Sequence, residues 1–550
     1  MPASIKSHSA FLLLLFLASM MFLTNIGSYA QFLRAETHFS LGARMMVETH
    51  EYLLPHAPHE LPLNKTPFQY WLIGIAYKYF GFNHGAGRIP SALSGLGVLI
   101  IVYILGLRFH GKIVALTASA MLATTYLFWS FARLSMPDLL LTLCITITLA
   151  CWILVLMDQT TRPRTLVLIG YGAIGLGFLV KGPVAIVLSV LPICMEIIVS
   201  RDLTIIRKLR PLSGAMTFLL VAAPYFLLVW VYHGIDPLWN FFVEENLRRF
   251  TGSSYKTTQL MFVYETTAFL ADFLPWSPLL IVSLWWFRRW KTIDQSMRRQ
   301  LRLLGFWIFS PILFFSLSSF KLDYYFLIGV PPAALLVALS LLQEGDPSIW
   351  ARRFRLTIAT LLVVALPVLL YFTIQMITVN FPDNIMAWLP HIIAMISLVA
   401  ALWYIVRKPA YQAVLAFAFT LWATTFSTYF FLLPDYTRFQ PPEALAARVP
   451  ANVDVYAAGT ATEWTWDLAI FLPTSQSVKR LPGKPVERLP SILQTDPRAV
   501  ILIYEQDYKE LQKAGFQFRV LAQAEAFKQN RLTLKSLLGP SYSKLYLLTQ

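Results

Sequence analysis

The hydrophobic positions of this chain fall in repeated runs, most of them close to 20 residues long. That is the length at which an α-helix spans the hydrocarbon core of a bilayer. The runs lie at 11–29, 86–107, 113–132, 138–157, 166–181, 183–200, 212–233, 262–286, 303–319, 324–342, 356–377, 388–406 and 411–433, which predicts thirteen transmembrane helices. The first run follows Lys6 and His8 but has no clear small-residue cleavage site after it, so it reads as a retained span. Lys181-Gly182-Pro183 interrupts the stretch 166–200 and argues for two spans joined by a tight turn.

Three longer polar segments break the series. The first, 31–85, holds two amphipathic pieces at about 36–48 and 67–80. In the second piece Phe68, Trp71, Leu72 and Ile75 recur at helical spacing, which predicts a helix with one apolar stripe, of the kind that can lie in the interface plane against the bundle. The next polar segment is 234–261. The last is the tail, 435–550, where short β-branched runs alternate with helical patterns. Strands are expected at 453–457, 499–504, 516–521 and 544–548, with helices at 464–471, 507–514 and 524–528. Such alternation predicts a small α/β domain. Residues 1–433 then form a transmembrane domain, and 435–550 a separate unit with no glycine-rich nucleotide loop.

Composition narrows the class. Of 550 residues, 57% are hydrophobic and only 13% charged, about half the charged fraction of a soluble chain. This excludes a wholly soluble protein, a disordered chain and a coiled coil. Lys and Arg total 45 against 29 Asp and Glu, a net charge of +16. The excess falls in alternate loops: Arg108 and Lys112, Arg207 and Lys208, Arg298 to Arg302, Arg352 to Arg355, Arg407 and Lys408. By the positive-inside rule those loops are cytoplasmic, the N-terminus is inside and the tail is outside. Nucleic-acid binding is therefore not implied. Cys144, Cys151 and Cys194 all lie in apolar stretches, which excludes a disulfide framework and a metal knuckle.

Ionisable residues at the outer ends of the spans are the candidates for chemistry. Asp138 follows Pro137 at the start of a span, where a carboxylate is stabilised by the helix dipole. Lys181 sits in the tight turn, and Lys321, Tyr324 and Tyr325 precede the 324–342 span. Glu36, His38 and Lys65 lie in the first outer segment, and Arg249 in the second. Carboxylates serve as bases or orient a nucleophile, and Lys and Arg hold a phosphate or diphosphate leaving group. A polar roof over a membrane cavity suits a substrate with a phosphorylated head and a lipid tail. The same rim would also serve a transporter vestibule.

A set of blocks then resembles the bacterial aminoarabinose transferases that modify lipid A, within the group of membrane glycosyltransferases that includes protein O-mannosyltransferases. The blocks are Arg34-Ala35-Glu36-Thr37-His38, Leu63-Asn64-Lys65-Thr66-Pro67 with Tyr70-Trp71, and Gly87-Arg88-Ile89-Pro90-Ser91. Asp138, Val180-Lys181-Gly182, Glu245-Asn246-Leu247-Arg248-Arg249-Phe250, Leu274-Pro275-Trp276 and Lys321-Leu322-Asp323-Tyr324-Tyr325 follow in family order. The resemblance implies a GT-C fold: a polytopic α-helical membrane protein of about thirteen spans with an extracytoplasmic α/β tail. It implies a polyprenyl-phosphate sugar as donor and a lipid, glycan or protein acceptor outside the bacterial cytoplasmic (inner) membrane. It also implies Glu36 and Asp138 as catalytic acids, and Lys65, Arg88, Lys181, Arg249 and Lys321 as phosphate ligands. Tyr325 and His38 would line the cavity.

Two departures matter. The family's first-loop Asp is Ala35 here, which leaves Glu36 as the nearest acid. Either Glu36 acts directly, or Asp138 suffices, or the chain binds lipid-linked sugar without catalysis. Asn64 and Asn246 stand where the family has a Glu and a His that look like metal ligands. Amides are poor ligands for zinc, so no metal or other cofactor is expected. A flippase is the remaining alternative, but the chain has no matching halves of the kind many transporters show.

Overall fold

The computed structural model describes residues 8–28, 34–55, 63, 65–252, 261–284, 293–342, 360, 371, 374–375, 377–378, 385–407, 410–432, 441–469, 471–473, 476–527 and 542–550. The expected span at 356–377 falls for the most part outside these residues, as does Asn64.

Apolar runs become helices that bury one another. The series comprises α1 (Ser9–Leu23), α2 (Arg34–Thr49), α3 (Phe68–Phe80), α4 (His84–Ala123), α5 (Asp138–Leu156), α6 (Pro163–Lys181), α7 (Val184–Ser200) and α8 (Pro211–His233). It continues with α9 (Gln295–Ser316), α10 (Val330–Leu342), α11 (Leu389–Arg407) and α12 (Ala410–Ser427). Among the described residues six helices are long and apolar enough to cross a membrane. The apolar pair Val263–Asp272 and Ser277–Leu284 is bent by 119° at its break, the shape of a broken span or of a re-entrant loop. The outer helices show apolar faces to their surroundings. The most apolar stretch of α8 is only 22% buried, with Leu212, Leu220, Val231 and Tyr232 exposed. An apolar surface of that kind is stable only in lipid, and the chain is a multi-pass membrane protein.

The two arms expected at 86–107 and 113–132 are joined at Gly111, whose φ of 81° no longer continues a helix. The arms fold back on each other closely. A Cβ on Gly106 would fall 2.9 Å from the Ala115 Cα. Small residues at such contacts let backbones approach, which is a main source of helix packing in lipid.

Two expectations about helices change. In α3 the buried positions are Gln69, Tyr70, Ile73, Ala76 and Tyr77, and Ile75 is 55% exposed. Phe68, Trp71 and Leu72 of the expected stripe are half-buried against the core, and the most deeply buried face is the neighbouring one. Both faces of this helix are apolar, so periodicity alone did not choose between them. The span expected at 303–319 starts earlier, at Gln295, with Asp294 accepting a capping bond of 2.7 Å from the Met297 amide. Its basic first turns are helical because Arg302 and Arg299 find carboxylates. Arg302 pairs with the fully buried Glu196 at 2.7 Å, and Arg299 with Asp202 at 3.1 Å.

The tail forms a five-stranded sheet of β1 (Val455–Ala458), β2 (Val478–Leu481), β3 (Val500–Tyr504), β4 (Arg519–Phe527) and β5 (Tyr542–Thr549), in the order β2-β1-β3-β5-β4. β1 runs parallel to β2 and β3, and β5 antiparallel to β3 and β4. β3 is buried on both faces. Val500 and Leu502 pack with Trp464 and Leu468 on one side, while Ile501 and Ile503 pack with Leu489 and Leu511 on the other. The helix expected at 524–528 is strand up to Phe527. Ala524 to Phe527 pair with Tyr542 to Leu545, and this ladder overrides the helical preference of Ala and Glu. β2 and the helix Pro485–Thr495 were not expected. The tail meets the helical part where Thr37 Oγ1 donates to Asp467 Oδ1 at 3.2 Å and His84 packs edge-on to Phe471 at 5.2 Å.

Gly106→Leu should lower the thermal midpoint of the detergent-solubilised protein, because overpacking costs about 1–3 kcal/mol. Gly305→Ala, where an added Cβ meets nothing within 4 Å, should leave it unchanged. Light-scattering unfolding curves of both variants test this.

Candidate functional site

Asp138 is the first residue of α5, after Pro137, so its carboxylate sits at the positive end of a helix. Lys181 is the last residue of α6, the favourable end for a cation. The chain stops there because Gly182 takes a φ of 71°. A Cβ at Gly182 would also lie 2.6 Å from the Phe241 ring, so only glycine fits. Lys181 Nζ donates to Asp138 Oδ1 at 2.6 Å, and the Asp138 side chain is only 6% exposed. Asp138 Oδ2 is buried with no hydrogen-bond partner among the described residues. Lys181 Nζ also lies 4.9 Å from the centre of the Tyr325 ring and 5.8 Å from that of Tyr324, within cation–π range.

Lys65 and the stretch 245–249, from two polar segments of the sequence, converge on the same place. Glu245 Oε2 accepts from Lys65 Nζ at 3.1 Å and from Arg249 Nη1 at 3.0 Å. Arg249 lies 3.9 Å over the Phe320 ring. Tyr325 feels the charges of Arg249, Asp138 and Glu245, which joins this triad to the Asp138–Lys181 pair. Lys321, four residues before Tyr325, donates to the buried Glu265, whose Oε2 has no hydrogen-bond partner among the described residues. Asp138, Lys181, Tyr325, Lys65 and Arg249 thus form one cluster at one end of the helices, and Lys321 adjoins it next to Phe320, whose ring meets both Arg249 and Tyr325. The opposite ends carry other pairs, Glu196 with Arg302 and Asp158 with Lys208.

Glu36 and Arg88 lie beside this cluster and face each other. Both side chains are fully buried, and Arg88 Nε donates to Glu36 Oε1 at 2.5 Å. The same oxygen accepts from the Ser135 amide at 2.9 Å, while Arg88 Nη1 reaches the Ile26 carbonyl at 2.7 Å. Ser91 Oγ donates to the Met136 carbonyl at 2.9 Å. The pair therefore grips the short segment that leads into Asp138. His38 shares a 2.7 Å hydrogen bond with Tyr70.

Asn246 Nδ2 donates to the Phe241 carbonyl at 2.7 Å, inside the π-helix Asn240–Arg248. Among the described residues no group of three His, Cys, Asp or Glu could hold a metal ion.

Sequence reasoning did not single out Glu245 or Glu265. Glu265 carried a usable signal, a carboxylate inside the apolar run 262–286, which at membrane depth demands a partner. Glu245 lay in a quoted block but had no local sign of its partner in a distant segment.

Residues 64–230 match the family described as dolichyl-phosphate-mannose-protein mannosyltransferase. An uncharacterised protein of Aquifex aeolicus is 27% identical over 330 residues, 60% of this chain and 63% of the relative. The undecaprenyl phosphate-alpha-4-amino-4-deoxy-L-arabinose arabinosyl transferase 2 of Proteus mirabilis is 28% identical over 310 residues, 55% of this chain and 54% of the relative. The corresponding arabinosyl transferase of Aeromonas salmonicida is 29% identical over 317 residues, 56% of each chain. The chain thus spans less than two thirds of the length of these curated relatives. Two crystal structures share its fold over 98% of the chain at 18% identity. They are ArnT from Cupriavidus metallidurans bound to undecaprenyl phosphate, with a TM-score of 0.77, and the same protein in the apo state, with 0.75. The chain is ArnT-like in sequence and has the GT-C fold, helical with a small sheet domain at its end.

Removing one partner of the Glu36–Arg88 pair leaves a buried charge uncompensated, at a cost of about 3–5 kcal/mol. Glu36→Leu should therefore lower folded yield and the thermal midpoint sharply. Glu36→Leu combined with Arg88→Met should recover most of that loss. A combined variant as unstable as the single one would contradict a mainly electrostatic role.

Proposed function

We propose that this chain is a glycosyltransferase that moves a sugar from a polyprenyl-phosphate-linked donor to a lipid, glycan or protein acceptor. The chemistry would occur at the outer face of the bacterial cytoplasmic membrane. The observation that carries this reading is the cluster itself: one buried carboxylate, Asp138, held within 2.6 Å of Lys181, among three further cations and two tyrosines. The arabinosyl transferases to which the chain is similar act with an undecaprenyl phosphate sugar by name, and this supports the donor class.

The reaction is a displacement at the anomeric carbon. The bond from that carbon to the donor phosphate oxygen breaks, and a bond to the acceptor oxygen forms. The acceptor hydroxyl proton passes to Asp138, and the lipid phosphate leaves with its negative charge. Lys65, Lys181, Arg249 and Lys321 compensate that charge, worth most where water is excluded. Tyr325 and His38 would line the donor cavity, and the place of Tyr325 beside Lys181 supports its part in this. Glu36 acts through Ser135 as a positioning residue for Asp138, with Arg88 as its counter-ion. The amide chemistry at Asn246 supports a site that uses no metal at this position.

Thirteen spans, an N-terminus in the cytoplasm and an extracytoplasmic tail at 435–550 complete the reading. Its support is the sorting of charged pairs. The Lys208 and Arg302 ends bear the loops rich in Lys and Arg, and the Asp138 cluster lies at the other end. Ala35 supports a second reading, a relative that binds the lipid-linked sugar without transferring it.

Mass spectrometry of lipids and envelope glycans from native cells with and without the gene separates the two. Transfer predicts that a polyprenyl-phosphate sugar accumulates in the deletion and one glycoconjugate loses a matching mass. Restoring the gene as Asp138→Asn should leave transfer reduced about 100-fold or more, the scale of a lost general base. Full activity of that variant at normal protein levels would overturn the assignment.

A further inference from the structure

Three carboxylates compensate the four cations of the cluster, and they are not equally committed. Asp138 is 6% exposed against Lys181, and Glu265 is fully buried against Lys321. Glu245 is 27% exposed, and its partners Lys65 and Arg249 are 31% and 30% exposed. Half-exposed ion pairs hold weakly. One oxygen, Glu245 Oε2, accepts from both Lys65 at 3.1 Å and Arg249 at 3.0 Å. These cations come from two outer segments far apart in the chain. A single anionic oxygen bridging a lysine and an arginine is the arrangement that a phosphate oxygen takes.

We infer that Glu245 is a built-in surrogate for the donor phosphate, which must turn away for that phosphate to bind and so sets donor affinity. The inference rests on the proposed function. Two features let Glu245 leave while the cations stay. It lies in the π-helix Asn240–Arg248, a rare form that recurs at functional sites. Arg249 is also held by its stacking on Phe320, 3.9 Å from the ring centre. The donor phosphodiester matches the single charge of the carboxylate and spreads it over two free oxygens, one for each cation, and the phosphate monoester released after transfer carries more charge still, so both cations pass to the phosphate. On binding, Lys181 and Lys321 keep their buried partners and act on the phosphate through their charge alone, so the exchange of partners is confined to this triad.

The test uses the full chain in nanodiscs and farnesyl phosphate as the probe. Glu245→Gln keeps size and removes the competing charge. It should bind the probe about three- to tenfold more tightly than the natural protein, the range expected for one half-exposed ion pair. The gain should shrink as salt is raised. Lys65→Met should weaken binding in both backgrounds. If Glu245 only props the two cations in place, Glu245→Gln binds more weakly, so the sign of the change decides. Binding by the natural protein with no gain in Glu245→Gln overturns the surrogate and leaves the proposed function standing. Failure of both proteins to bind the probe overturns the two together.

Discussion

A fully buried ion pair adds little net stability, but it fixes geometry strictly, because either charge alone is intolerable. Glu36 and Arg88 form such a pair with no solvent contact. It ties α2 to the start of α4, and through Ile26 to the end of α1. Through the Ser135 amide it also sets the segment that delivers Asp138 to the mouth of the bundle. The next residue in α2, Thr37, carries the contact to Asp467 in the tail domain. The site and the docking of the tail therefore lean on one carboxylate. This gives Glu36 a physical reason to be glutamate without touching substrate.

Electrostatics then govern the cluster itself. Charges beside a membrane must be paired or reach water. Lys181, Lys321, Lys65 and Arg249 each have a carboxylate, and the aromatic rings of Tyr324, Tyr325 and Phe320 supply further stabilisation for Lys181 and Arg249. On the proposed function, an anionic donor would enter a field already largely balanced, and would gain by exchange with weak internal partners. Asp138 keeps one oxygen on Lys181 and leaves the other with no partner among the described residues. A buried carboxylate oxygen without a hydrogen-bond donor is the form in which an acid can accept a proton.

The tail is a separate piece of physics. Its sheet has a strand hydrophobic on both faces, β3, covered by helical layers on each side. It rests on α2 and on the first turn of α4, close to the buried pair, through Asp467 and Phe471. That contact couples the tail to the segment of the chain where the site is assembled.

Much of this was legible in the residues. Runs near 20 residues long, broken by Lys181-Gly182-Pro183 and by the charged loops, located the helices, because lipid forces every backbone group into local hydrogen bonds. Asp138, Lys181 and Tyr325 were identifiable for the same reason, since polar residues at helix ends beside a membrane require an explanation. Other features were not legible. The helix α3 was legible but not which of its two apolar faces lies deepest, and the residues at 524–527 became strand only through pairing with β5. Arg88 read as a phosphate ligand until its partner was seen to be Glu36, and Glu245 gained a role only when Lys65 reached it across 180 positions. The sequence by itself determined where helices form and which residues are charged, because those follow from local hydrophobicity and chemistry. Only the tertiary structure decided which charge meets which, because ion pairing depends on distances of about 3 Å between segments that no local pattern relates.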